Sequence, residues 1–78
     1  MKIQQIETLS GLDRATIRYY EKEGLLNPHR TENGYRDYSD ADLEELKKIK
    51  LLRQLGMPLD SIRKLQQGRE DFLSAMDE

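Results

Sequence analysis

Three cations, Arg14, Arg18 and Lys22, stand four residues apart, with Thr16, Tyr19 and Tyr20 set among them. At i, i+4 and i+8 they line one face of a helix, and the chemistry open to that face is binding rather than bond-making. A guanidinium can pair with two acceptors on a guanine edge, and Thr and Tyr hydroxyls suit phosphate oxygens. A solvated face, with Arg18 beside Glu21 and Lys22 beside Glu23, is the other reading of the same residues. A second polar group follows at Asn33-Gly34-Tyr35-Arg36 and Tyr38. Nothing assembles for catalysis. Ser10, Ser39, Ser61 and the aspartates lack the spacing of a hydrolytic triad, and Ser39 is better explained as a helix cap. His29 is the only histidine and falls in a loop, and the absence of cysteine excludes a thiolate metal site or a disulfide framework. No catalytic residue, metal or cofactor is expected.

The elements that would hold these residues follow from the apolar period. Ile3, Ile6 and Leu9 predict a short helix that Gly11 ends, with Leu12 plugging the turn. Asp13 suits the cap of a second helix, which carries the basic stripe opposite Ile17 and runs to Glu23 before Gly24 closes it. Two short helices about a glycine-containing turn suggest helix-turn-helix. Pro28 then forbids continuation. Asn33-Gly34, between Arg30-Thr31-Glu32 and Tyr35-Arg36-Asp37-Tyr38, predicts a two-stranded hairpin on a type I′ turn with both turn residues at positive φ. Ser39 and Asp42 mark the start of a third helix, with Leu43, Leu46, Ile49, Leu52 and Leu55 as its core face up to Gly56. Pro58 opens a fourth, with Leu59, Ile62 and Leu65 inward and Gly68 as terminator. Arg69 to Glu78 reads as the start of a fifth, with Phe72, Leu73 and Met76 on one face. The fold class is mainly α, a winged helix-turn-helix of four helices and a short β-hairpin wing, with the start of a fifth C-terminal helix.

Seventy-eight residues make one small domain with a thin core. Hydrophobic and charged residues at 36% each describe a soluble globular chain, and no apolar run approaches membrane-spanning length. The N-terminus lacks the apolar stretch of a signal peptide, so a reducing cytoplasm is the expected compartment. A net charge of −2 is unlike that of a basic nucleic-acid binder. Residues 66–78 hold one base against four acids and account for −3, which leaves residues 1–65 at +1. Composition leaves a locally basic face open.

With these segments in order, the chain resembles the DNA-binding module of MerR-family transcription regulators over roughly residues 3 to 67. Thr16-Ile17-Arg18-Tyr19-Tyr20-Glu21, Gly24-Leu25-Leu26 and Pro28 are similar to the family's recognition-helix signature. Asn33-Gly34-Tyr35-Arg36 with Tyr38-Ser39 is similar to its wing, and Asp42-Leu43, Leu55-Gly56-Met57-Pro58-Leu59 and Ile62 to its third and fourth helices. The resemblance implies a sequence-specific binder of double-stranded promoter DNA, not an enzyme. Such a regulator bends and untwists a promoter so that RNA polymerase can engage, and forms a homodimer through a long C-terminal helix.

On that reading the DNA-binding residues are Arg14, Thr16, Arg18, Tyr19, Tyr20, Lys22, Gly34, Tyr35, Arg36 and Tyr38. Tyr20 and Tyr38 suit equally a core position with the hydroxyl at the surface, and Gly34 serves the turn. Residues 1–68 form the DNA-binding domain and 69–78 the start of a dimerisation helix marked by Phe72, Leu73 and Met76. That apolar edge has a second reading, a fold back onto the fourth helix. The alternative function is a small excisionase-like or architectural DNA-binding or interaction protein; an architectural binder would prefer bent DNA of many sequences.

Overall fold

The structure of the protein, a computed structural model, describes residues 1–77, with the side chains of Glu70, Leu73, Ser74 and Asp77 outside the described set. Four helices and one antiparallel hairpin follow in the order α1 (Ile3–Ser10), α2 (Arg14–Lys22), β1 (His29–Arg30), β2 (Arg36–Asp37), α3 (Asp40–Gln54) and α4 (Leu59–Asp77). The helix starts obey local chemistry. Asp13 Oδ1 accepts a bond from the Thr16 amide at 3.1 Å and begins α2. Ser39 and Asp42 exchange side-chain to backbone bonds of 3.1 and 2.9 Å and begin α3.

The core lies where α1, α2 and α3 meet. Ile6, Ile17, Leu46 and Ile49 are fully buried, Ile62 of α4 closes one side, and Leu25 and Leu26 plug the segment after α2. Three residues expected inside are outside: Leu9, Leu55 and Leu65 are 53%, 74% and 54% exposed. The reason is geometric. A strict every-third-residue series advances about 300° per step on a 3.6-residue helix and so drifts about 60° off its face each time. In α3 the drift leaves Leu43, Leu46 and Ile49 buried and Leu52 half-buried, and it carries Leu55 round to solvent.

The hairpin forms on a different turn from the type I′ expected. Among the described residues only glycines have positive φ, so Asn33 is not left-handed, while Gly34 stands at +82°. The Gly34 amide bonds to Thr31 O at 2.9 Å and the Thr31 amide to Tyr35 O at 2.8 Å. This is a type I turn closed by a left-handed glycine, the usual three-residue hairpin loop. The strands pair His29 with Asp37 and Arg30 with Arg36. So short a ribbon is marginal alone, and the N-terminus straps it. The Tyr38 amide donates to Met1 O at 2.8 Å, and the terminal ammonium meets Asp37 Oδ1 at 2.9 Å and also Tyr38 O.

No separate fifth helix begins after Gly68. α4 is one helix of 19 residues that runs through this glycine. Gly68 is not left-handed, unlike Gly56 at +90°, and it is flanked by Gln66, Gln67 and Arg69, all good helix formers. A glycine inside a helix costs roughly 0.5–1 kcal/mol relative to alanine. Nothing lies within 4 Å of a Cβ built at Gly68. Gly68→Ala is therefore expected to stabilise the domain by about that amount, read as a midpoint several degrees higher by thermal circular dichroism. A lowered midpoint would mean that the helix breaks there.

Candidate nucleic-acid interface

One face of α2 is turned entirely to solvent. Arg14, Ala15, Arg18, Tyr19 and Lys22 are exposed, Thr16 is half-buried, and Ile17 and Tyr20 point inward. Arg14 is committed at the helix start. Its Nε and Nη2 reach Glu7 Oε1 at 3.2 and 2.9 Å, and its amide donates to Glu7 Oε2 at 2.9 Å, which ties α1 to α2. Arg18 and Lys22 form no salt bridge among the described residues. The acids expected to neutralise them are engaged elsewhere: Glu21 pairs with Arg36 at 2.7 Å and Glu23 with Arg63 at 3.3 Å. The neighbour pairing open in the sequence is thus excluded by geometry, and two cations are left free on the outward face.

Glu21 is the joint between helix and wing. Its side chain is only 11% exposed, and its two oxygens accept from Arg36 Nε at 2.7 Å and Tyr38 Oη at 2.8 Å. Tyr38 is consequently a core residue, 1% exposed, with its hydroxyl spent on Glu21 rather than offered to a ligand. Burial, then the Glu21 bond and its negative charge, push the phenol well above the ordinary tyrosine range. Tyr20 is also packed inside at 6% exposure, with the half-exposed Tyr19 ring tilted against it at 6.0 Å between centroids. As packed, the rings of Tyr20 and Tyr38 support the face instead of forming it. Beyond the joint, Thr31, Glu32, Asn33, Gly34 and Tyr35 are all exposed at the wing tip.

Between α2, the wing and the start of α1 runs an open groove lined by Lys2, Ile3, Arg18, Thr31, Asn33, Tyr35, Arg36 and Asp37. Arg18, Tyr35 and Arg36, each named from the sequence, line this groove together. Lys2, Thr31 and Asn33 line it as well, Lys2 because the fold brings the first residues of the chain opposite the wing. Asp37 does not cancel the groove's positive charge, since the N-terminal ammonium lies on it and holds its carboxyl below the usual range. Among the described residues there is no cluster of His, Cys, Asp or Glu that could hold a metal, and no helix long and apolar enough to cross a membrane.

A free basic face on the second of two helices, beside a wing, is the arrangement of winged DNA-binding domains, and comparison with known proteins agrees. The family described as MerR HTH family regulatory protein matches residues 1–69. The chain belongs to this family. It is 42% identical over 71 residues to the HTH-type transcriptional regulator HmrR of Rhizobium leguminosarum bv. viciae, covering 91% of this chain and 55% of that protein. It is also 42% identical over 71 residues to the regulator ZntR of Escherichia coli strain K12, at 90% and 50% coverage. Among solved structures it matches the regulator PbrR691 from Ralstonia metallidurans CH34 in complex with lead(II), at TM-score 0.85 and 36% identity, over 91% of this chain and 56% of that one. It matches HiNmlR, a MerR family regulator lacking the sensor domain and bound to promoter DNA, at TM-score 0.83 and 30% identity, over 99% and 64%. The chain thus spans about half to two thirds of the length of these relatives. The family consists of transcription regulators, not enzymes.

The joint can be tested by pH. Removing the Tyr38 hydroxyl leaves one Glu21 oxygen without its partner, so Tyr38→Phe should cost about 1–3 kcal/mol at neutral pH. Because the folded phenol titrates above its unfolded value of about 10, its contribution is complete below that pH and is lost as pH rises through the folded value. Urea unfolding between neutral pH and pH about 11 should show the gap between wild type and Tyr38→Phe closing at the alkaline end. A constant gap would exclude this role for the hydroxyl.

Proposed function

We propose that this chain is the DNA-reading part of a MerR-type regulator that acts on promoter DNA. The supporting observation is that Arg18 and Lys22 form no salt bridge among the described residues on the exposed face of α2, while Glu21 and Glu23 are drawn to other elements. In this reading α2 enters the major groove and Arg18 addresses a base edge, with Lys22, Thr16 and Tyr19 at its flanks. The wing, with Tyr35 at its tip and Arg36 at its root, follows the sugar–phosphate backbone. Arg14, Tyr20, Gly34 and Tyr38 act from behind by holding the helix and the wing in shape. Residues 1–68 serve DNA, and the segment from 69 onward serves self-association. RNA polymerase at the same promoter and a cytoplasmic location complete the proposal.

Arg18→Ala should lower selectivity by about 1–3 kcal/mol between a duplex selected from a random pool and a scrambled one. Arg36→Ala should instead weaken binding to both duplexes alike, because the wing loses its tie to α2 and the backbone contact loosens. Fluorescence-anisotropy titrations of both variants test the pair. Equal loss of selectivity in the two would overturn the roles, and a wild type that prefers pre-bent DNA of any sequence would favour an architectural binder.

We also propose a homodimer built on α4. Phe72 and Met76 are 65% and 67% exposed and share a face with Leu65, so this edge does not fold back onto the domain. Leu73, assigned to the same edge from sequence, has its side chain outside the described set. Two or three exposed apolar residues bury too little for a tight dimer, which usually needs about 1,000 Å² or more. The 78-residue chain is expected to self-associate weakly in sedimentation at micromolar concentration, and Phe72→Glu to abolish what association there is. Association unchanged by Phe72→Glu would place the contact elsewhere.

A further inference from the structure

The last turn of α2 is held by a helix from the other end of the chain. Arg63 Nη2 donates to the backbone carbonyl of Glu23 at 2.8 Å and to Glu23 Oε2 at 3.3 Å, while Nη1 is tied to Asp60 Oδ1 at 2.7 Å. One turn further along α4, Gln66 Nε2 donates to Leu25 O at 3.1 Å and to Glu45 Oε1 of α3 at 2.8 Å. Arg69 follows on Glu45 at 3.6 Å. This differs from an ordinary surface ion pair. Two of the acceptors are main-chain carbonyls, which cannot swing away, and both guanidinium ends are used. Glu23 is also the C-cap of α2, where the helix dipole concentrates negative charge and a cation is favoured. The last turn of α2 carries Lys22 of its own, but that side chain points outward on the DNA face. The cap is therefore supplied by α4.

We infer that Arg63 and Gln66 are positioning residues for DNA reading, fixing the C-terminal end of the recognition helix and hence the angle at which Arg18 and Lys22 are presented. The inference rests on the DNA-reading role proposed above. Its force comes from the continuity of α4. The helix is unbroken from Leu59 to Asp77, and at about 100° per residue Leu65, Phe72 and Met76 lie roughly half a turn away from Arg63. One face of the rod grips the end of α2 and the opposite face is open to a partner. The open face and the groups that cap Glu23 thus belong to one hydrogen-bonded helix.

The test compares Arg63→Met and Gln66→Met, which keep an unbranched apolar stem and lose the bonds, with Arg63→Lys, which keeps a cation, and with Leu52→Ala as a packing control. All are made in the 78-residue chain and assayed, at a temperature where each is folded by circular dichroism, on a duplex selected by the wild type from a random pool and on its scrambled form. The expected result is that Arg63→Met narrows the ratio of selected to scrambled affinity about tenfold. Gln66→Met should act in the same direction, Arg63→Lys should recover part of the ratio, and Leu52→Ala should leave it unchanged even though the fold is weakened. Amide exchange should quicken at Glu23 and Leu25 in Arg63→Met before it does in α1. An unaltered ratio in Arg63→Met, or the same narrowing in Leu52→Ala, would overturn the positioning role. A wild type with no selected sequence at all would instead overturn the DNA-reading role on which it depends.

Discussion

A single carboxylate, Glu21, sets the relation between the two parts that face outward. It sits on the inner edge of α2, largely withdrawn from water, and takes one donor from the root of the wing and one from a buried phenol. Were it unpaired, a charge in that place would cost more than the pair stabilises. The wing is therefore not free to adopt any angle to the helix. Its register, its strap to the N-terminus and its turn all act through a ribbon of two residues per strand, which has little stability of its own. Losing the joint would leave the hairpin intact as a turn and undefined as a surface.

The same pairing explains how a chain of net charge −2 carries a basic face. Of the acids nearest Arg18 and Lys22, each is turned inward or backward onto a cation from another element. Arg36 and Arg63 thus do two jobs: they satisfy partly buried carboxylates, and by doing so they leave the outward cations uncompensated. Charge is separated by folding, not by composition. The separation matters because phosphate contacts depend on the local potential, which a neighbouring carboxylate within a few ångströms would cancel.

α2 is held at both ends by elements foreign to it. At its start, Glu7 of α1 binds the Arg14 amide and guanidinium while Asp13 caps the Thr16 amide; at its end, Arg63 of α4 caps Glu23. A nine-residue helix is too short to be stable alone, so its rigidity is borrowed. Ile17 and Tyr20 anchor the middle, and the polar contacts fix the ends. A reader of base edges needs this, since its side chains must arrive at set positions in a groove.

Much of the architecture was legible in the residues themselves. Asp13, Ser39 and Asp42 announce helix starts because capping is local chemistry, and Gly34 announces a hairpin because few residues other than glycine tolerate a left-handed φ. The ordered motifs from Thr16 to Ile62 carried the family. What they could not carry was every choice that depends on distant neighbours. Strict three-residue spacing looked like a core stripe, but Leu9, Leu55 and Leu65 drift to solvent because burial depends on which face the other helices cover. Gly68 looked like a stop, yet a glycine ends a helix only when the chain turns left-handed there, and here it does not. The type of turn at Gly34 depended on how many residues the strands left for it. Above all, Glu21 and Glu23 have cations beside them in the chain and bind others 15 and 40 positions away. Ion pairs are decided by where side chains meet in space, and only the tertiary structure brings Arg36 and Arg63 to those carboxylates and so frees Arg18 and Lys22.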